Sequence, residues 1–101
     1  MKLGSSSASS HYVTAQGLSS FGYMTEAIWE YREVLLLDPD HVPAWIELGQ
    51  ALDSQGLAEQ GDSCYLKALE INPGNADAKA KLIKAQKKQR ATGNPLFWRE
   101  R

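Results

Sequence analysis

Apolar residues along this chain recur at helical spacing, and the stripe restarts after each cluster of turn residues. Between residues 24 and 37, Ala27, Tyr31 and Val34, with Ile28 and Leu35 alongside, fall on one side of a 3.6-residue period. That helix is expected to stop over Leu37-Asp38-Pro39, since the residue before a proline is pushed out of the helical region. Behind Pro43, placed where a first helical turn needs no N–H, Trp45, Leu48, Gly49 and Leu52 line a second face. Gln55-Gly56 closes it, with Gly56 suited to the position just past the end. A third stripe runs from about Leu57 to Glu70, with Gly61, Tyr65, Ala68 and Leu69 inward, before the turn-forming Asn72-Pro73-Gly74-Asn75.

Two weaker segments flank these three. The first, from about Ser9 to Ser20, sets Tyr12, Val13, Ala15 and Leu18 among serines, and Phe21-Gly22-Tyr23 turns the chain into the next helix, with Thr25 or Gly22 as its expected cap. Residues 5–10, nearly all serine, are expected to fray. The last helix starts with Asn75 as cap and shows Ala76, Ala80 and Ile83 as its packing stripe, with Leu82 and Ala85 beside it. Thr92-Gly93-Asn94-Pro95 ends it. Five helices and no strand are expected.

Two stretches are one unit written twice. Leu18 recurs 34 residues on as Leu52, Tyr31 as Tyr65, Leu37 as Ile71 and Pro39 as Pro73. The second copy also has Trp45-x-x-Leu48-Gly49-x-x-Leu52, then Tyr65, Ala68 and Pro73. This resembles the tetratricopeptide repeat (TPR) family, a helix-turn-helix unit of about 34 residues marked by W-x2-L-G-x2-Y and by later Ala, Phe and Pro. The copy departs at Leu52, where the family has tyrosine, and at Gly61, where it has alanine. In the copy over 8–41, His11, Thr14 and Ala15 stand in place of Trp, Leu and Gly, while Ala27, Tyr31, Val34 and Pro39 restore the pattern. The resemblance spans about residues 8–90. It implies an all-α fold, a short right-handed solenoid of two TPR helix-turn-helix units (about 8–41 and 42–75) plus a C-terminal capping helix (about 75–91). That places a repeat domain over 9–91, a disordered leader or linker over 1–8, and an apolar tail over 92–101.

Composition narrows the function classes. The chain has 101 residues, enough for one small domain, with 23% charged and 43% apolar residues and a net charge of −1, which gives no general pull toward nucleic acid or membrane. The charge is uneven: residues 11–40 hold five acids against Arg32, residues 41–75 five acids against Lys67, and residues 76–90 five lysines and Arg90 against Asp77. Nothing in the run of sequence is apolar for the roughly 20 residues a membrane span requires. The opening Met1-Lys2-Leu3-Gly4 and its serines lack the apolar core of a signal peptide. Cys64 is the single cysteine, so no internal disulfide can form, which fits a soluble protein of the cytoplasm or another reducing compartment.

In the TPR family stacked pairs curve, and the first helix of each pair lines the inner surface. The resemblance therefore points to a groove for a peptide segment of a partner protein, presenting Tyr12 and Gln16, then Ile46, Glu47, Gln50 and Asp53, then Lys81 and Lys84. One subset of the family grips the acidic C-terminus of chaperones through Lys, Asn and Arg. The matching places here hold Tyr12, Gln16, Glu47, Asp77 and Lys81, of which only Lys81 could serve, so that specificity is not expected. A second expectation, of a different class, is a homo-oligomerisation module assembling through open repeat ends and the Leu96-Phe97-Trp98 tail, whose bulky side chains are each worth roughly 1.5–3 kcal/mol when buried.

No catalytic site, metal site or cofactor is expected. His11 and His41 have no nucleophile or carboxylate constellation around them. His11 stands where the family packs an aromatic, and His41 follows Asp38-Pro39-Asp40 in a solvated linker. Cys64, mid-helix, reads as an inert thiol. No Cys/His spacing suggests zinc and no glycine-rich phosphate loop follows a strand. Single-stranded nucleic acid needs a basic groove with interleaved aromatics, which two acidic repeats oppose.

Overall fold

The computed structural model describes residues 7–91. Over that range the chain forms five helices: α1 (Ala8–Ser20), α2 (Met24–Leu37), α3 (Val42–Ser54), α4 (Ala58–Ile71) and α5 (Ala76–Ala91). α1 pairs with α2 and α3 with α4, α2 meets α3 across the junction between pairs, and α5 packs on α4 and touches α3. The all-α solenoid expected from the sequence is the fold observed.

The turns repeat as closely as the helices. Gly22 and Gly56, 34 residues apart, adopt φ of +86° and +83°, a left-handed conformation that favours glycine. The N–H of Tyr23 reaches the Leu18 carbonyl at 2.8 Å, and that of Leu57 reaches Leu52 at 2.9 Å, so both A helices close with the same glycine-centred cap. The B helices end alike: Asp38 N–H donates to Val34 O at 2.7 Å and Asn72 N–H to Ala68 O at 2.8 Å. From Leu18 onward the first unit is thus a complete structural copy of the second, although the first half of its sequence matches poorly.

Helix starts differ from expectation in three places. α1 begins at Ala8, with Ser7 accepting a 3.1 Å bond from the Ser10 N–H, so the serines over 8–10 are helical rather than frayed; a serine hydroxyl in the N-cap position satisfies a donor that would otherwise be unpaired. α2 uses neither Thr25 nor Gly22 as cap. Tyr23 occupies the N-cap position without a side-chain bond, because Gly22 is committed to the turn and Thr25 already lies in the first turn. α4 begins one residue after Leu57, which is its N-cap. Asn75 caps α5 as expected, its Oδ1 accepting from Ala78 N–H at 2.8 Å.

The core falls into two linked clusters. Ala15, Ala27, Tyr31, Val34, Leu48 and Leu52 fill the space between α1, α2 and α3, and Ile46, Tyr65, Ala68, Ala78 and Ala85 that between α3, α4 and α5. Trp45 packs against both, its Nε1–H donating to the Pro39 carbonyl at 2.7 Å. Gly49 and Gly61 let α3 and α4 approach closely: a Cβ on Gly61 would meet the Gly49 carbonyl oxygen at 2.9 Å.

The stripe expected on α5 needs correction. Ala78 and Ala85 are buried and Leu82 half-buried, whereas Ala76, Ala80 and Ile83 are exposed. α5 has α4 on one side only. The Ala78–Leu82–Ala85 stripe serves that contact, and Ile83, 34 residues after Gly49, sits on the face a further helix would cover.

Candidate functional site

α3 runs along the middle of the concave face, and the sequence places a polar or small residue at each outward turn of it. Between α3, the turn before α5, and the ends of α1 and α2 lies an open groove of about 710 Å³. Ile46, Glu47 and Gln50 form its α3 side, Asn72 and Asn75 its turn side, and Lys81 with Asp77 its far edge. A smaller depression of about 290 Å³ adjoins it, where Asp53 and Tyr65 face Lys81, Lys84 and Lys88. Lys81 forms a 3.2 Å ion pair with Asp77, one turn back on α5.

Glu47 has a different role from the one the repeat pattern suggests. Its Oε1 accepts from the Tyr31 hydroxyl at 2.8 Å and from Gln16 Nε2 at 3.3 Å, and its Oε2 accepts from the Tyr12 hydroxyl. Three helices thus converge on one carboxylate. Burial first, and then the hydrogen bond and negative charge of Glu47, raise both tyrosine hydroxyls well above their ordinary value, so each remains a proton donor at neutral pH. The His41 ring stacks obliquely on Tyr12 with centroids 4.7 Å apart, and its Nδ1 accepts from Ala44 N–H at 3.1 Å. His41 is therefore the N-cap of α3, the role Asn75 plays for α5, rather than a solvated linker residue: a ring nitrogen accepts the bond that an aspartate or serine usually would.

Of the eight groove candidates, Ile46, Glu47, Gln50 and Lys81 line the main groove, and Asp53, Lys81 and Lys84 the smaller depression. Ile46 is only 5% exposed, so it forms floor rather than an open contact. Tyr12 and Gln16 line neither; they are turned into the bonds with Glu47, the physical reason being that a half-buried carboxylate needs donors more than the groove wall does. Leu96, Phe97 and Trp98 lie outside the described residues. Tyr31, Asn72 and Asn75 are groove residues that helical-face projection misses. Asn72 and Asn75 sit in the turn, and Tyr31 belongs to the packing set. The one signal for Tyr31 is its hydroxyl, a polar end on a core residue that needs a partner.

The remaining reactive side chains are accounted for structurally. His11 Nδ1 lies 2.6 Å from Glu30 Oε1, tying α1 to α2 at a half-buried boundary. Cys64 is buried, and burial pushes its thiol up to about 11 despite the charge of nearby Arg32. Among the described residues no group of His, Cys, Asp and Glu could hold a metal ion. No described helix is long and apolar enough to cross a membrane.

The comparisons with known proteins agree with this geometry. The tetratricopeptide repeat family model matches residues 42–75. The crystal structure of MamA, a protein containing such repeats, superposes with a TM-score of 0.68 over 86% of this chain and 61% of that one, at 20% identity, which speaks for the fold alone. A 57-residue stretch is 32% identical to the protein adenylyltransferase fic-1 of Caenorhabditis briggsae. It takes in 56% of this chain but only 11% of that protein, so the chain matches a small part of that relative's length. Residues 42–75 are a tetratricopeptide repeat, set in a five-helix solenoid. The fold is that of a general protein-interaction module, typically a non-catalytic one.

Proposed function

We propose that this solenoid binds a peptide segment of a partner protein along its concave face and performs no chemistry of its own. The observation that carries this is the open groove of about 710 Å³ along α3, with hydrogen-bonding side chains on its walls and lysines at one end. Gln50, Asn72 and Asn75 offer both donors and acceptors to an extended main chain, and the α5 end offers Lys81, Lys84 and Lys88 to acidic side chains. Glu47 is held by three donors of its own chain, so the acidic half of the groove is rigid rather than open to a partner carboxylate. The partner segment is therefore one with acidic residues directed toward α5. The groove-forming unit spans the two repeats at about 8–41 and 42–75 and the helix after them.

The test is peptide selection from a displayed random library, followed by fluorescence anisotropy on the selected sequences. Acidic peptides should emerge, and Lys81→Glu combined with Lys84→Glu should abolish their binding while far-UV circular dichroism stays unchanged. Peptides that bind the charge-reversed variant as well as the parent would overturn the assignment of the groove. The second reading, assembly through an open repeat end, is favoured by the exposed Ile83 face of α5. It predicts self-association that depends on Ile83 rather than on the lysines.

A further inference from the structure

The convex side of the molecule carries a feature that groove binding leaves unexplained. α2 buries Ala27, Ile28, Tyr31 and Val34 and turns Trp29, Arg32, Glu33 and Leu36 outward, four positions at i, i+3, i+4 and i+7 that form one stripe. Trp29 is 62% exposed and Leu36 74%. The stripe forms one wall of a mostly apolar groove of about 580 Å³, with Trp45 and Leu48 among its apolar lining and Ser63 and Cys64 from α4. Leaving a tryptophan and a leucine in water beside an apolar groove is costly, and such an arrangement marks an interaction surface. Arg32 and Glu33 form no ion pair among the described residues of their own chain.

The order of the four side chains says what fits there. Arg32 and Glu33 are adjacent, and Trp29 and Leu36 stand three residues to either side of them. If a second copy of α2 lies antiparallel across the first, with the two-fold axis passing between residues 32 and 33, Arg32 faces the partner's Glu33 and Trp29 faces the partner's Leu36. Both contacts occur twice by symmetry. Every position in that register meets its complement, base with acid and apolar with apolar. A parallel arrangement in register would instead set Arg32 against Arg32 and Glu33 against Glu33, so the charges select the antiparallel one.

We propose that the outward stripe of α2 is a self-complementary surface through which two copies of this chain pair about a two-fold axis, each Trp29 entering the apolar groove of the other copy. The pairing leaves the concave face of both copies open, so it is independent of peptide binding and of the tail beyond Gly93.

Sedimentation velocity of the full chain over a micromolar to millimolar series tests this. The parent chain should show a monomer–dimer equilibrium, and a version ending at Gly93 should show the same one. Arg32→Glu alone and Glu33→Arg alone each place like charges in contact twice and should weaken the dimer at least about tenfold. Mixing the two variants should restore a dimer, since each then faces its opposite. The double exchange R32E/E33R should also restore it. All four positions are exposed, so circular dichroism should remain that of the parent. A parent chain that stays monomeric throughout overturns the proposal. So do single variants that dimerise like the parent, which would place the contact elsewhere, and a mixture that stays monomeric, which would refute the antiparallel register.

Discussion

Adding one methyl group at Gly49 tests the closest approach in the fold. A Cβ placed there lies 2.7 Å from Tyr65 Cε1, 3.0 Å from Tyr65 Cδ1 and 3.0 Å from the Gly61 carbonyl oxygen. Carbon atoms pack well at roughly 3.5–4.0 Å, so the ring would have to retreat by about 0.8 Å. Tyr65 is 2% exposed, pressed against Ala68, Ala78 and Ala85, and has little room to do so. The carbonyl is part of the α4 backbone and can move only with the helix. Against this, alanine favours a helix interior over glycine by about 1 kcal/mol, while forcing a methylene-sized group into a packed core costs about 1–3 kcal/mol. The clash should win, leaving Gly49→Ala destabilised by up to about 2 kcal/mol, which for a domain this small lowers the melting temperature by about 4–8 °C per kcal/mol. Gly17 supplies the control. It lies mid-helix in α1, where a Cβ would have nothing within 4 Å and φ is not positive, so Gly17→Ala should gain roughly the 1 kcal/mol of helix propensity. Urea unfolding followed at 222 nm reads both. If Gly49→Ala were as stable as the parent or more so, the close packing of α3 on α4 would not be what the glycine serves. Gly49→Leu, with three further carbons, should leave the domain unfolded.

The other expectations concern titration, reactivity and capping. Tyr65, raised to about 12 mainly by burial, stays protonated when the unfolded chain's tyrosines ionise near 10, so its contribution to stability is intact below pH 10 and lost as the pH climbs toward 12. Tyr31 is raised in the same direction, and Tyr31→Phe should therefore flatten the alkaline decline in urea midpoint; an unchanged slope would refute the burial argument. Cys64 at about 11 holds roughly a hundredfold less thiolate than an ordinary exposed cysteine, so a disulfide-exchange probe at pH 8 should modify it at least about a hundredfold more slowly in the native than in the urea-unfolded chain. Asn75→Ala removes the bond to Ala78 N–H and should cost about 1 kcal/mol, seen first as faster amide exchange at the start of α5.

The repeat makes the helices and the close α3–α4 contact legible in the sequence. Trp45, Leu48, Gly49, Tyr65, Ala68 and Pro73 are spaced by packing, and packing is what a one-dimensional array repeats. Three features are not legible there, each for a physical reason. The buried face of α5 lies about two residues from the stripe its sequence suggests, because alanines lie on both its sides and only the presence of α4 decides which side is buried. His41 reads as a linker residue because a histidine seldom caps a helix. Its equivalence to Asn75 emerges only from the shared turn bonds, His41 N–H to Asp38 O at 3.1 Å and Asn75 N–H to Asn72 O at 3.0 Å. Tyr12 and Gln16 look open to a partner because nothing in the sequence couples residue 12 or 16 to residue 47.

That coupling changes how the concave face works. Tyr12 is in the weakest helix of the chain and Glu47 in the best-packed one, and bonds from Tyr12, Gln16 and Tyr31 join them through a single carboxylate. α1 shows an apolar stripe too thin to hold it by burial alone, with Ala15 its one fully buried residue. A polar cluster at the groove's edge therefore secures the first helix, and the same cluster removes Glu47 from competition for ligands. Recognition is thereby shifted along α3 toward Gln50 and α5, where Lys84 and Lys88 have no ion-pair partner among the described residues. The first half-repeat thus need not match the family at its packing positions. It keeps its place through hydrogen bonds to Glu47, and the groove it helps to form is selective at the opposite end.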